Sequence, residues 1–251
     1  MSAHAPRSPR RVIIGAPFAW LLLFALLPLV LVLKISTAQV ELGVPPYTPF
    51  FGVDAAGNAS IQASAANFKL IASDSLYLDA YLNSLRIAAI STLLALLLGY
   101  PMAYAIATAP MRWRVALLIL VLLPFWTSFL IRVYAWVALL RPTGPLNSLL
   151  LSLGVVDQPL ATFNTEFAVY IGMVFCYLPY MILPLYARLE KQDPQLLEAA
   201  ADLGASPLRA FLGVTLPLSV PGIVAGCLLM FIPAVGEFVI PELLGGAGTL
   251  M

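Results

Sequence analysis

The chain has 251 residues, 61% of them hydrophobic and only 10% charged, with a net charge of +1 and a mean hydropathy of +0.95. An average soluble domain carries about 25% charged residues. This chain cannot cover its own surface with polar groups, so its solvent is largely lipid, and the near-neutral balance excludes nucleic acid as a partner. Cys176 and Cys227 both sit inside apolar runs, which leaves neither a disulfide framework nor a metal-ligand spacing. The one histidine, His4, lies in a polar tail.

A bilayer core requires about 20 apolar residues per helix, and five segments meet that length. They run from Val12 to Leu33, Leu85 to Thr108, Val115 to Leu140, Phe167 to Ala187 and Leu216 to Ala234. The chain is read as one transmembrane domain, 1–251, of all-α membrane class. Pro101, Pro179, Pro184, Pro217, Pro221 and Pro233 fall inside these runs, and Pro217 is read as a helix end rather than a kink. Each would cost about 3 kcal/mol in a soluble helix, but membrane helices tolerate proline where neighbours satisfy the freed carbonyls. The first segment follows Arg7, Arg10 and Arg11, and Ser36-Thr37-Ala38 loosely fits a cleavage site. Its apolar stretch exceeds the roughly 7–15 residues of a signal peptide, so an uncleaved helix is expected.

Basic residues near helix ends set the orientation. Arg7, Arg10 and Arg11, then Arg112 and Arg114, then Arg188, Lys191 and Arg209 fall on one side if the helices alternate. Glu41, Asp54, Asp74, Asp79, Asp157 and Glu166 fall on the other. The N-terminus is therefore expected in the cytoplasm. The long external segment, 36–82, is expected to hold a short strand or a turn. In the second external segment, Gly144-Pro145-Leu146-Asn147 followed by Leu149 to Leu153 predicts a short amphipathic or re-entrant helix.

The connection at 188–215 carries the most information. Asp193 suits an N-cap and Pro194 a first turn, Gly204 suits a left-handed helix terminus, and Ser206-Pro207 repeats the start signal. Two short helices joined at Gly204 are expected. The first offers a close-approach surface at Ala199-Ala200-Ala201 and apolar grip from Leu196, Leu197 and Leu203. Such a helix is too short to span and reads either as a docking element or as a solvated connector.

The same stretch resembles the EAA loop of binding-protein-dependent ABC importers, E-A-A-x(3)-G-x(9)-I-x-L-P. Here it reads Glu198-Ala199-Ala200, Gly204 and Val214-Thr215-Leu216-Pro217, with Val in place of Ile. Pro124 to Arg132, Leu178 to Tyr186 and Phe231 to Pro241 are similar to segments of spermidine/putrescine permeases. The resemblance covers most of the chain beyond Asn83. It implies a type I ABC permease fold in the bacterial inner membrane. The implied partners are a second permease subunit, two cytoplasmic ATPase subunits and an external substrate-binding protein. Glu198, Ala199, Ala200, Asp202, Leu203 and Gly204 would form the coupling helix that enters a groove of the ATPase. ATP and Mg would be bound by that ATPase, with no cofactor on this chain. Accordingly, the sequence has no G-x-x-x-x-G-K-[ST] phosphate loop, and a non-catalytic transport subunit is expected. The family's sixth helix would begin near Met251.

Charges at membrane depth cost about 2.5–3.5 kcal/mol on insertion scales and mark functional candidates. Arg132, expected mid-way along the third span, and Glu237, just after the fifth, are the two here. Glu237 is a candidate for attracting a cationic amine, with Trp126, Tyr134 and Tyr177 as pathway aromatics, and Trp136 and Tyr180 beside them. Alternatively, Arg132 and Glu237 neutralise each other or cap broken helices, and the aromatics belong to an interfacial belt. The same fold could carry an anion or a metal chelate. A secondary transporter would show inverted repeats and several mid-membrane carboxylates, and an intramembrane enzyme would require a nucleophile–base or metal constellation. Neither pattern is found in the sequence.

Overall fold

The computed structural model describes residues 8–41, 43–44, 46–53, 59–61 and 63–246. His4, Arg7, Asp54 and Met251 lie outside these residues. In chain order the elements are α1 (Ser8–Ser36), β1 (Phe51–Val53), β2 (Ala59–Ile61), α2 (Ala66–Ser73), α3 (Ser75–Thr108), α4 (Met111–Leu122) and α5 (Phe129–Leu140). They continue with α6 (Pro145–Ser152), α7 (Glu166–Leu189), α8 (Gln195–Asp202), α9 (Pro207–Ala210), α10 (Leu216–Val235) and α11 (Val239–Leu244). Two compact units divide the chain between Leu78 and Asp79.

In the first unit, α1 is a long apolar helix with Pro17 and Pro28 inside it. β1 and β2 pair antiparallel, with Phe51 opposite Ile61 and Val53 opposite Ala59. The Asn67 side chain on α2 donates to the carbonyls of Ser36 at 3.0 Å and Ala38 at 2.8 Å, satisfying acceptors left over at the end of α1. The Ser64 amide donates to Thr37 O at 2.8 Å. The segment between the first two spans therefore holds both a strand pair and a helix, and the second span starts at Ser75 rather than Leu85.

The second unit is organised around α7. Met173, Met181, Ile182 and Leu185 on this helix are fully buried. α10 approaches α7 closely because Gly222 and Gly226 lie one turn apart on the contact face. A Cβ at Gly226 would stand 2.9 Å from Met181 Sδ and 3.0 Å from its carbonyl. At Gly222 it would meet Arg188 Cβ at 2.8 Å. Small residues at this spacing let two helix backbones meet where lipid supplies no hydrophobic drive. Gly99 brings α3 against Met181 in the same way, and Gly172 receives Leu244 and Ile240 of α11.

Among the described residues, four helices are long and apolar enough to cross a membrane, or five if the bent pair Met111–Trp126 and Phe129–Ser152 counts as one span. That pair corrects the expected continuous helix from Val115 to Leu140. The chain bends by 89° there, through a 3-10 turn at Leu123–Trp126 and extended residues Thr127 and Ser128. Pro124 withdraws a ladder donor. The Thr127 amide and hydroxyl both donate to Pro124 O, at 3.2 and 2.7 Å, closing the turn in place of the helix.

The expected second short helix is also corrected. α9 runs through a π turn, Phe211–Thr215, straight into α10, so the last span begins at Pro207 rather than Leu216. Pro217 cannot donate to the ladder, and the wider turn with Leu216 N bonded to Phe211 O absorbs the interruption.

On the α6 side, Asn147 is fully buried. Its amide nitrogen donates to Arg141 O and Leu160 O, and its oxygen accepts from Leu160 N at 2.8 Å. This network ties α6 to the loop before α7.

Replacing Gly226 with Leu forces side-chain volume into the α7–α10 seam. It is expected to destabilise the protein by about 1–3 kcal/mol, read as a lower thermal midpoint in detergent. Gly213→Ala meets nothing within 4 Å and is expected to leave the midpoint nearly unchanged.

Candidate functional site

Two interruptions of helix converge on the middle of α7. One is the Thr127–Ser128 break between α4 and α5, and the other is the 236–238 gap between α10 and α11. Irregular backbone at membrane depth is tolerated only where protein buries it or where it lines a cavity. Glu237 supplies part of that burial. Its carboxylate accepts from the amide of Val239 at 2.9 Å and from Ile240 at 3.4 Å, which places negative charge at the start of α11. The other carboxylate oxygen accepts from the hydroxyl of Tyr177 at 2.5 Å. Tyr177 is half-way along α7, so this carboxylate is held at the middle of a span.

An aromatic path leads away from that bond. The Tyr177 ring lies 5.9 Å from Tyr180, and Tyr180 meets Phe125 edge-on at 5.2 Å. Phe125, in the 3-10 turn, carries the Arg132 guanidinium over its face at 4.7 Å, with Phe129 at 5.8 Å. Arg132 lies in the first turn of α5, immediately after the break, not mid-way along a continuous third helix. Its Nε and Nη1 atoms are buried without a hydrogen-bond partner. Two charges of opposite sign thus sit at the ends of a run of rings. The structure pairs Glu237 with Tyr177 and two amides, and Arg132 with ring faces.

Of the remaining sequence-selected aromatics, Trp126 and Tyr134 are 80% and 56% exposed and stand apart from the Tyr177–Glu237 bond. Trp136 meets Phe175 at 5.3 Å on another face of α7. Sequence reasoning passed over Phe125 as a contact for Arg132. The signal was Pro124 followed by Thr127-Ser128, which ends the helix and turns Phe125 inward.

At the other end of α7 the 188–215 connection forms a second site. The Asp193 carboxylate accepts from Gln195 N at 3.0 Å, and α8 begins at Gln195, one residue later than expected. Its C-terminus is closed by the Gly204 amide on Ala201 O at 2.8 Å and the Ala205 amide on Ala200 O at 3.0 Å. Gly204 has φ +80°, a conformation that suits glycine. Glu198, Ala199, Asp202 and Leu203 are exposed, Leu203 to 89%, whereas Ala200 is half-buried.

The base of α8 is fixed to the spans. Gln192 donates to Thr215 O at 3.1 Å, and Arg188 donates to Leu218 O at 2.8 Å. Tyr100 and Tyr104 both pack edge-on against Phe211. Arg114 at the start of α4 lies 3.6 Å from Glu190. The result is a short amphipathic helix held out from the bundle on a rigid base. Among the described residues no cluster of His, Cys, Asp or Glu is arranged to hold a metal.

Apolar spans, an exposed helix on a braced loop and a carboxylate at mid-span define a multi-pass membrane protein. A family profile, "Binding-protein-dependent transport system inner membrane component", matches residues 12–251, and the chain belongs to that family of ABC importer permeases. It is 40% identical over 242 residues to the spermidine/putrescine transport system permease protein PotB of Haemophilus influenzae, covering 96% of this chain and 80% of the relative. PotB of Escherichia coli is 42% identical over 232 residues, covering 92% and 79%. The crystal structure of a bacterial ABC transporter involved in the import of the acidic polysaccharide alginate superposes with a TM-score of 0.69. That likeness covers 96% of this chain and 80% of the other at 19% identity, and it bears on the fold alone.

An alanine at Gly204 would have to hold a left-handed conformation costing about 1–2 kcal/mol. In Gly204→Ala, amide exchange at Ala205 and at the substituted position is expected to speed up by about tenfold, measured by hydrogen–deuterium exchange, while exchange in α7 stays unchanged.

Proposed function

We propose that this permease subunit conducts a polyamine, of the spermidine or putrescine kind, inward across the bacterial inner membrane. The observation that carries the reading is the Glu237 carboxylate held at the middle of α7 by the hydroxyl of Tyr177, whose ring neighbours that of Tyr180. A carboxylate gives an ammonium group its counter-ion, and each ring face adds about 0.5–2 kcal/mol of cation–π attraction. The cargo named for the PotB relatives has that chemistry.

In this reading α8 lies on the cytoplasmic side with Arg112, Arg114, Arg188, Lys191 and Arg209, and the N-terminus is cytoplasmic, as the positive-inside rule favours. Glu198, Ala199, Ala200, Asp202, Leu203 and Gly204 form the surface that docks into an ATPase subunit, which binds ATP and Mg and hydrolyses the nucleotide. A second permease subunit completes the pathway, and an external binding protein delivers the cargo. A related alginate transporter was crystallised with its periplasmic protein. Closure of the ATPase pair moves α8, and the α7–α10 seam passes that movement to the mid-span site.

Arg132 favours a second reading. Buried donors without acceptors cost about 1–3 kcal/mol each, and an anionic cargo would supply the acceptors that Nε and Nη1 lack.

Substituting Glu237 with Gln keeps an oxygen for the amides of Val239 and Ile240 but removes the charge. In the reconstituted importer, the concentration of spermidine that half-saturates stimulated ATP hydrolysis is expected to rise by about tenfold or more, since a hydrogen bond to a charged group contributes about 1.5–3 kcal/mol. An unchanged value, together with loss of stimulation in Arg132→Gln, would favour the anion. For coupling, Gly204→Asp and Glu198→Lys are expected to lose co-purification of the ATPase subunit from membranes. Retention in both would remove α8 from the docking surface.

A further inference from the structure

In the second unit, α3 and α7 each contribute a stripe of residues to one groove. On α3, Arg86, Ile90, Leu94 and Leu98 recur at every fourth position, and on α7 Tyr170, Val174 and Leu178 do the same. At one end Arg86 and Glu166 form an ion pair, with side chains 52% and 42% exposed, and Tyr170 donates its hydroxyl to Glu166 at 3.3 Å. Beyond that pair lies a groove of about 490 Å³ whose lining is almost wholly apolar, with Trp136, Phe167 and Phe175 among its walls. Leu98 and Leu178 line its far end, each twelve positions beyond the charged residue of its own helix.

Twelve residues of α-helix advance about 18 Å, slightly more than one leaflet of a hydrocarbon core about 30 Å thick. The groove is therefore one leaflet deep, polar at the rim and dry below. A volume of about 490 Å³ holds a single hydrocarbon chain. At the rim the two charges cancel, so a net anion would gain at Arg86 and lose at Glu166. A zwitterion satisfies both, with phosphate on the guanidinium and a hydrogen-bonding amine on the carboxylate.

We propose that this groove binds one phospholipid of the surrounding bilayer, with an amine-bearing zwitterionic headgroup on the Arg86–Glu166 pair and an acyl chain between α3 and α7. Tyr170 belongs to both halves of the site, since its hydroxyl holds Glu166 and its ring lines the groove. The site is separate from Glu237 and from α8, so it stands whichever cargo the permease carries.

The test is native mass spectrometry of the importer complex purified in mild detergent and titrated with dioleoyl phosphatidylethanolamine, phosphatidylcholine and phosphatidylglycerol. One phosphatidylethanolamine per copy of this chain is expected to be retained preferentially, since the trimethylated amine of phosphatidylcholine cannot donate to Glu166. Arg86→Gln is expected to weaken retention by about tenfold or more. Leu98→Trp fills the groove without touching the ion pair and is expected to displace the lipid. Equal retention of all three lipids, or unaltered retention in both variants, would overturn the proposal. So would a disulfide between a Leu98→Cys variant and a cysteine-substituted partner permease, because protein would then fill the groove.

Discussion

The close contact of α7 with α10 at Gly222 and Gly226 is the constraint on which the second unit depends. In lipid, two helices gain little from burying apolar surface and associate through packing and hydrogen bonds. Glycine removes the side chain that would hold the backbones apart, so that Met181 and Arg188 fill the space directly. Once the seam is set, its two ends are determined. At one end Arg188 reaches Leu218 O and Gln192 reaches Thr215 O, which fixes the base of α8. At the other end α10 stops at Gly236 and the chain folds back, so that Glu237 meets Tyr177 while α11 packs into the notch at Gly172. The base of α8 and the Tyr177–Glu237 bond thus lie at the two ends of one seam.

The mid-span site follows from the bilayer's intolerance of unpaired backbone. Both interruptions open amides and carbonyls, and both are closed by side chains of the interrupted segment. Thr127 bonds back to Pro124 O, and Glu237 takes the amides of Val239 and Ile240. The breaks are built and satisfied locally, and what they present to the interior is a carboxylate, a guanidinium and a set of ring faces. A charge held this way carries part of its own solvation, which lowers the cost of keeping it at membrane depth.

Local signals in the sequence translated well. The start of α8 at Asp193-Pro194 and its end at Gly204 depend on neighbouring residues only, and the helix lies within one residue of the expected position. The five apolar runs were likewise legible, because length and composition suffice to recognise a span. The kink in the third run was not, since an apolar stretch broken at Thr127-Ser128 has the same hydropathy as a continuous one. The start of the last span was missed for the reverse reason. Pro217 looked like a boundary, but a π turn carries the helix past it. Tyr177 and Glu237 are 60 positions apart, and each was chosen for its own chemistry. Their contact depends on the fold-back after Gly236, which no periodicity encodes. Trp126 and Tyr134 were selected by the same aromatic criterion, yet the 89° bend turns them outward.

The turn at Gly204 has a consequence for life inside the cell. By reversing the chain directly after α8, it leaves Leu203 standing almost clear of the protein, with Leu196 and Leu208 also exposed nearby. A small oily knob on a helix outside the bilayer is harmless while something covers it and adhesive when nothing does. Copies of this subunit made in excess of their partners would carry that adhesive surface into the open, where chaperones and proteases sort proteins by such exposure. Under the proposed docking role, the same turn ties the survival of the chain to matched synthesis of the partner it would dock against.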